Sequence, residues 1–428
     1  MSTKNPKTNR YEFFGPPGAA AVATCTPIIV YGLYYNCSEA SGLCQLPTWS
    51  FPLQVVRAIS DGNWWKSAFD IQVTVAYFEW YASLVAAWYW LPGEWLEGTE
   101  LRTGGHKVYK LNAFNTLLLN VGLATGWILV YGPQSFTFIY DHWVGLCSAA
   151  ILNSLVHATY CYIMSTIDED QRLLSLSGNS GNVFYDWFIG RELNPSIGLF
   201  DIKSFAELRP GMILWSMINL SSYCKQVVHR GTWYPTDSMF LVLLFQWGYV
   251  VDALYNEHAV FTTRDITMDG FGFMLSFGSI AWVPLTYSVQ ARYLAFKHVE
   301  LGLFWTIVIF AIHAIGYWIF RESNNEKNEF RSGKNPKSGC IDYSINSLYL
   351  TILLSDLQSF KTERGTRLLT SGWWGICQHP NYLGDWIMAL SYSLPTGFDT
   401  PITYFYCIYF FVLLVHRQMR DEEACREK

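Results

Sequence analysis

The stretch that decides the fold is Leu301–Phe320, which reads LGLFWTIVIFAIHAIGYWIF and carries no charge and a single histidine. A helix needs about 20 mostly apolar residues to cross the hydrocarbon core of a bilayer. This run meets that length without any Asp, Glu, Lys or Arg to place in lipid. The sequence therefore predicts a membrane-spanning helix here.

The composition of the whole chain agrees with a membrane protein. Of its 428 residues, 51% are hydrophobic and 15% are charged, against about 25% charged in a typical soluble domain. A net charge of −5 provides no global basic field for nucleic acid. The ten cysteines are scattered without a C-x-x-C pair, so the sequence predicts no metal site.

Nine further apolar stretches are candidate spans, which predicts an all-α, polytopic membrane bundle of about ten helices. They are Pro17–Tyr35, Ile71–Trp90, Asn112–Tyr131, His142–Met164, Met212–Tyr223, Met239–Tyr255, Gly270–Gln290, Leu383–Leu394 and Thr400–Val415. Several are short or polar, and short segments can be half-spans or buried helices. We expect a short cytoplasmic N-terminus over residues 1–16 and a single membrane domain over residues 17–428.

Five polar residues fall inside these stretches: Glu79, Asn219, Gln246, Asp252 and Asp385. Ionisable groups at membrane depth usually face a bundle interior or a wet cavity. Hydrogen bonding between helices is the alternative explanation for each one taken singly. Together they indicate an interior site within the bilayer.

Basic residues indicate the orientation of the chain. They gather before the first span, after Phe320 and after the last span, and the positive-inside rule places all three regions in the cytoplasm. An even number of crossings fits that arrangement. Cys37 and Cys44 flank a short loop after the first span and can pair if that loop is lumenal.

The segment SGWWGICQHPNYLGDW, Ser371–Trp386, concentrates polar and aromatic groups beside a predicted span. Pro380 and Gly384 interrupt helix on either side of Asn381 and Tyr382, and irregular backbone at a membrane face must line a cavity or meet water. A tryptophan pair alone would be an interfacial anchor. Followed by a histidine, an amide and a phenol, it favours a planar, polar cofactor.

Basic side chains near this segment suit a phosphate-bearing cofactor. Lys327 and Arg331 are spaced to share one helix face, and Arg417 and Arg420 follow the last span. Such clusters also bind anionic lipid. No G-x-G-x-x-G motif is present, so a dinucleotide would not be held by a Rossmann fold.

The chain resembles the integral-membrane sterol reductases, the family of the Δ14-, Δ7- and Δ24(28)-reductases and the lamin B receptor. The segment from Ser371 carries the resemblance, with RELNPSIGLFDIKSFAELRPGMILW from Arg191, FGFMLSFGSIAWVPLTYSVQARYL from Phe271 and PGEWLEGTELRTGGHKVYKLN from Pro92. The opening YEFFGPPGA, Tyr11–Ala19, is similar to fungal Δ14-reductases in particular. The resemblance covers nearly the whole chain.

The resemblance implies a ten-helix fold in the endoplasmic reticulum membrane, a sterol substrate and an NADPH pocket on the cytoplasmic side. Carried over residue by residue, the family's cofactor contacts fall on Lys327, Arg331, Leu369, Trp374, Asn381, Tyr382, Asp421 and the Cys425–Lys428 tail. Arg417 joins this set by its position in the sequence.

The chain departs from the family pattern in four places. Gln378 stands where the family has a basic residue, and Phe277-Gly278-Ser279 replaces a Trp-Gly-Asp type of motif. The family continues past Lys428 with an aromatic, basic tail. The apolar stretch within Ser338–Asp356 occupies a position where the family has a short polar loop, and we expect it to be an atypical insert.

The implied reaction is NADPH-dependent reduction of the C14=C15 bond of a Δ8,14-sterol in ergosterol synthesis. An isolated double bond resists hydride, so it must first be protonated by a donor of matched pKa. Four candidates remain open: Tyr287, Glu257, Asp252 and His379. Reduction at Δ7 or Δ24(28) is the nearest alternative. An isoprenylcysteine-type methyltransferase, a scaffold like the lamin B receptor and a transporter are more distant ones.

Overall fold

The computed structural model describes residues 4–39, 42–167, 169, 171–331, 357–361 and 367–426. The expected insert, residues 338–356, lies outside the described residues, as do Lys428 and the side chain of Cys425. The chain divides into two compact units, Met1–His298 and Val299–Lys428.

Helices dominate the described part of the first unit. They are α1 (Gly15–Asn36), α2 (Phe51–Ser60), α3 (Gly62–Ala68), α4 (Ile71–Trp90), α5 (Ala113–Tyr131), α6 (Phe138–Asp141), α7 (Trp143–Thr166), α8 (Val183–Ile189), α9 (Ile202–Leu208), α10 (Pro210–Arg230), α11 (Asp237–Tyr255), α12 (Arg264–Thr267), α13 (Phe273–Phe277), α14 (Val283–Tyr287) and α15 (Val289–Phe296). Short 3-10 helices cover Pro133–Phe136 and Glu257–Thr262.

Three antiparallel strand pairs connect helices of the first unit. They are β1 (Cys37–Ser38) with β2 (Leu43–Cys44), β3 (Glu94–Glu100) with β4 (His106–Leu111), and β5 (Ser196–Ile197) with β6 (Phe200–Asp201). A disulfide joins Cys37 to Cys44 across the first pair. The pairing that the sequence made conditional on a lumenal loop is therefore present.

The second unit contains four α-helices and one hairpin among its described residues. They are α16 (Gly302–Arg331), β7 (Ser359–Lys361), β8 (Arg367–Leu369), α17 (Trp373–Ile376), α18 (Pro380–Ser393) and α19 (Phe405–Arg426). The sequence predicts that the span ends at Phe320, which is wrong for the helix, because α16 continues for eleven more residues. At about 1.5 Å per residue, α16 reaches about 45 Å, well beyond a hydrocarbon core of about 30 Å.

Six helices in the described part of the chain are long and apolar enough to cross a membrane, and each matches a predicted span. They are α1, α5, α7, α11, α16 and the region Ile402–Glu422 that contains most of α19. The helical, polytopic membrane class is confirmed. The count of about ten spans stays a prediction, because the other four stretches are more polar, shorter or broken.

The stretch Gly270–Gln290 shows why one predicted span is not a single helix. It folds as α13, a π-helical segment over Gly278–Trp282, and α14. Pro284 has no N–H to donate to the preceding turn, so the regular helical ladder cannot continue through it. A Cβ on Gly211 of α10 would lie 1.8 Å from the Ser279 carbonyl oxygen, so the widened turn is packed directly on α10.

The core of the first unit is built around α10, which starts at Pro210 and stops at Gly231 in a left-handed conformation (φ 64°). Polar side chains on its inward face form hydrogen bonds with polar side chains of neighbouring helices. The Trp215 indole N–H and the Asn219 amide both donate to Gln246 Oε1 of α11, at 2.9 and 2.8 Å. For Asn219 and Gln246 the structure therefore shows hydrogen bonding between helices.

In the second unit α16 and α18 run antiparallel at very close range. A Cβ on Gly384 would lie 2.6 Å from the backbone nitrogen of Phe320 and 2.7 Å from the carbonyl oxygen of Gly316. Farther along the pair, His313 Nδ1 lies 2.8 Å from Ser391 Oγ. Small residues let the two backbones approach, as is common between helices in membranes.

Candidate cofactor site

The segment Ser371–Trp386 folds at one end of the second unit as a turn, the short helix α17 and the start of α18. Gly372 adopts φ +65°, and a Cβ there would lie 2.5 Å from both carboxylate oxygens of Glu326. The backbone N–H of Trp373 donates to Glu326 Oε1 at 3.0 Å. Glu326, a buried residue of α16, therefore caps α17 from a neighbouring helix.

Trp374 is held by two contacts from α16. Its indole N–H donates to the carbonyl oxygen of Ser323 at 3.0 Å. The Lys327 Nζ lies 4.3 Å from the centroid of its ring, within the range of a cation–π interaction. These contacts fix the ring in one orientation and place a positive charge on its face.

Asn381 and Tyr382 follow Pro380 in the first turn of α18. The Asn381 amide nitrogen donates to Asn324 Oδ1 at 3.3 Å, and the Tyr382 hydroxyl donates to Asp421 Oδ2 at 2.9 Å. Asn381 Oδ1 is buried and accepts no hydrogen bond from the residues that the structure describes. A buried acceptor of this kind normally has a partner.

His379 lies between Trp374 and Tyr382 and contacts both rings. Its ring stacks on Tyr382 with centroids 4.6 Å apart and planes 8° apart, and meets Trp374 edge-on at 6.5 Å. Burial lowers the pKa of His379, the charge of Lys327 lowers it further, and Asp421 opposes both. The imidazole is thus favoured in its neutral form at neutral pH, which weighs against its candidacy as an imidazolium donor.

The remaining predicted cofactor residues lie on α16, on the β7–β8 hairpin and on α19. Arg331 is exposed at the end of α16, Leu369 pairs with Ser359 in the hairpin, and Arg417 precedes Asp421 by one turn of α19. The structure brings Lys327, Trp374, His379, Tyr382 and Asp421 into one chain of contacts. As cofactor contacts, all of the predicted residues stay predictions.

Three residues of this site were missed by the sequence interpretation: Ser323, Asn324 and Glu326. All three lie on the part of α16 beyond Phe320, and Glu326 accepts a hydrogen bond from a backbone N–H 47 residues away. A polar run directly after an apolar span reads as a solvated loop. The repeat of polar residues at helical spacing was the signal available.

The other three candidate proton donors belong to the first unit. Glu257 Oε1 pairs with Arg209 Nη2 at 2.9 Å, and its Oε2 accepts the Ala113 N–H at 2.8 Å. Burial raises the pKa of Glu257, although Arg209 lowers it. Asp252 accepts a hydrogen bond from the Asn256 amide at 3.1 Å.

Tyr287, the last of these candidates, lies at the end of α14 beside the polar network of α10 and α11. Its ring meets Trp215 edge-on with centroids 5.5 Å apart, and its carbonyl oxygen accepts from Gln246 Nε2 at 3.1 Å. The proton donor therefore stays a prediction among the four residues.

The residues present fit a reduced nicotinamide dinucleotide. Lys327 and Arg331 of α16, with Arg417 of α19, supply positive charge for phosphate. The flat faces of Trp374, His379 and Tyr382 suit planar rings. Asn381 Oδ1 offers a buried acceptor without a partner among the described residues, which an amide or amine N–H of a ligand would satisfy.

Comparison with known proteins adds a family and three relatives. Residues 7–428 match the family model described as the Ergosterol biosynthesis ERG4/ERG24 family. The chain is 44% identical over 420 residues to Delta(14)-sterol reductase erg24 of Schizosaccharomyces pombe, covering 98% of this chain and 92% of that protein. It is 43% identical over 445 residues to the ERG24 protein of Candida albicans, covering 100% and 95%.

A third relative gives the same picture. The chain is 40% identical over 447 residues to Delta(14)-sterol reductase ERG24 of Saccharomyces cerevisiae, and the alignment covers 100% of this chain and 95% of that protein. All three similarities extend through both compact units.

Proposed function

Since the chain belongs to the ERG4/ERG24 family of ergosterol biosynthesis, we propose that it is a sterol Δ14-reductase that uses NADPH. The observation that carries the proposal is near-complete alignment with three proteins named as Δ14-sterol reductases, at 40–44% identity. The cofactor site of the second unit supports it, because its charges and flat rings match a phosphate-bearing nicotinamide.

The residues of the second unit have separate tasks in this proposal. Lys327 and Arg331 bind phosphate, and Trp374 and Tyr382 orient the planar groups of the cofactor. Glu326 holds the backbone of α17 so that the Trp374 ring keeps its position. When bound, the cofactor supplies hydride.

The proton comes from the chain. In a Δ8,14-diene, protonation at C15 leaves a tertiary, allylic cation at C14, which then accepts hydride. The substrate bond gains one proton and one hydride, and the cofactor is oxidised. The apolar helices exclude water from the reacting atoms, and the donor is one of Tyr287, Glu257, Asp252 and His379.

The location follows from the same proposal. The chain is a multi-pass membrane protein, and we place it in the endoplasmic reticulum with the cofactor site facing the cytoplasm. The basic residues after Phe320 and after the last span support that orientation.

The test is a turnover assay on membranes that contain the chain. Membranes are incubated with NADPH and a Δ8,14-sterol, and the product is analysed by mass spectrometry and retention time. A Δ8-sterol with two more hydrogens is expected. An unreduced Δ8,14-sterol, together with reduction of a Δ7- or Δ24(28)-sterol or methyl transfer from S-adenosylmethionine in parallel incubations, would replace the proposal by one of its alternatives.

A further inference from the structure

The first unit contains an apolar cavity of about 370 Å³ between α4, α5, α7 and α10. We propose that this cavity binds a sterol molecule other than the one being reduced. The inference goes beyond Δ14 reduction, because none of the four candidate proton donors and none of the cofactor residues lines the cavity.

The cavity has a buried floor and an exposed rim. Tyr77, Leu214 and Met217 form part of the floor and are 3–5% exposed. Leu123 and Trp127 of α5 form part of the rim and are 67% and 51% exposed. Since α5 is a membrane-spanning helix, an exposed rim on it meets lipid. A ligand can therefore enter sideways from the bilayer.

The lining excludes charged lipids. Among the lining residues there is no Asp, Glu, Lys or Arg, and Glu79, the one charged residue of α4, does not line the cavity. A phospholipid headgroup needs charge-assisted partners when it leaves water. The occupant is therefore a neutral lipid with at most a small polar end.

One polar position on the wall suits a hydroxyl group. Asn120 Oδ1 accepts the Trp80 indole N–H at 3.0 Å, and the Asn120 amide nitrogen donates to the Thr116 carbonyl oxygen at 2.8 Å. The Oδ1 atom retains a second lone pair that can accept from a ligand hydroxyl. The amide is held in this orientation by both bonds.

The shape of the remaining wall favours rings over an acyl chain. Tyr77, Trp80 and Trp127 present aromatic surfaces, and such surfaces pack well on a rigid, flat ring system. The volume is within the range of ligand sites, about 300–1,000 Å³. A neutral lipid with one hydroxyl and a rigid apolar body is a sterol.

Photolabelling of the full-length protein in nanodiscs tests the proposal. The probe is a 3β-hydroxysterol that is saturated at C14, so that it is no substrate, and that carries a diazirine and an alkyne. We expect saturable labelling of peptides from α4 and α5, competed by unlabelled sterol and not by phosphatidylcholine. Labelling elsewhere only, or equal competition by phosphatidylcholine, would overturn the proposal.

Two variants that reduce the cavity and one control variant locate the site. Ala124→Phe fills the floor, where Ala124 is buried, and Leu123→Trp narrows the exposed mouth without disturbing a buried residue. Each should lower labelling at least tenfold. Leu119→Phe, an exposed change on the same helix outside the lining, is the matched control and should label as the wild type does. Unchanged labelling in Leu123→Trp contradicts the proposal even if Ala124→Phe misfolds.

The activity of Leu123→Trp separates this site from catalysis. The proposal expects reduction of a Δ8,14-sterol to continue within about twofold while labelling is lost. Loss of both together would identify the cavity as the place of reduction and would overturn the proposal. Labelling without any reductase activity in the wild type would instead refute the proposed function and leave the sterol site standing.

Discussion

At the scale of single residues, Trp374 is the side chain on which the cofactor site depends most. The Trp374→Ala variant loses the ring that Lys327 covers and the hydrogen bond to Ser323. We expect NADPH-dependent turnover to fall by about tenfold or more, because such losses together amount to about 1–3 kcal/mol. Rate per amount of folded protein in membranes is the measurement.

The neighbouring Trp373→Ala variant is the matched control. Trp373 packs its ring edge-on against Trp318 at 5.2 Å, and its bond to Glu326 uses the backbone N–H, which alanine keeps. The control should change the KM for NADPH much less than Trp374→Ala does. If both variants lose turnover equally, the tryptophan pair is a membrane anchor and not part of the cofactor site.

Arg331 tests the choice between NADPH and NADH. It is exposed at the end of α16, four residues after Lys327, where it can reach a phosphate group. Arg331→Ala should raise the KM for NADPH by about tenfold, the worth of a charge-assisted bond, and should affect NADH less. Titration of both cofactors against one sterol substrate gives the comparison, and an equal rise for both removes the 2′-phosphate assignment.

The chemical types of the site residues could be predicted from the sequence better than the contacts between them. The aromatic and basic residues of the site were identified because their types are unusual beside a span. Glu326 was not, because a carboxylate that accepts a backbone N–H leaves no pattern in the sequence near the residue it caps. The disulfide was left conditional, since spacing alone does not decide which side of a membrane a loop occupies.

At the scale of elements, the capping of α17 by Glu326 gives a second test of the site. Glu326→Ala removes the acceptor for the Trp373 N–H, so α17 and the Trp374 ring lose their position. We expect kcat to fall about tenfold, the effect of losing one charge-assisted bond. Glu326→Gln keeps a carbonyl oxygen as acceptor and should stay much closer to the wild type. Equal losses in both variants would show that the negative charge matters and the cap does not.

The close contact between α16 and α18 predicts that a side chain added there lowers the stability of the protein. Gly384→Ala places a Cβ 2.6 Å from the Phe320 nitrogen, which forces the helices apart and should destabilise the protein by about 1–3 kcal/mol. Gly248→Ala is the control, since a Cβ at that helical glycine meets nothing within 4 Å. Thermal unfolding in detergent compares them. A Gly384→Ala protein as stable as the control would contradict the close packing.

The long helices could be predicted as elements, but the geometry of a break within one helix and the full length of another could not. Six predicted spans match helices within a few residues at their starts, because an apolar run of that length has few other folds in a membrane. Pro284 indicates from the sequence that the helix is interrupted, but the widened turn at Gly278–Trp282 is explained only by its packing on the backbone of α10. The extension of α16 to Arg331 was hidden by its change from apolar to polar residues.

At the scale of the whole molecule, the disulfide tests the orientation of the chain. Disulfides persist in oxidising compartments, so Cys37 and Cys44 should face the lumen. In sealed microsomes, a membrane-impermeant maleimide should label neither residue until detergent and reductant are added together. Cys377, a free cysteine in the candidate site, should react without either. Labelling of Cys37 or Cys44 in sealed vesicles with an impermeant reductant would reverse the proposed orientation.

The fate of the two hydrogens added to the sterol tests whether this protein is a Δ14-reductase. The protein in membranes is given a Δ8,14-sterol and NADPH that carries deuterium at the transferred position of the nicotinamide, in ordinary water, and the product is analysed by mass spectrometry and NMR. We expect one deuterium at C14, none at C15, and at least tenfold less deuterated product with Trp374→Ala. Deuterium at another carbon, or product without deuterium, would contradict it.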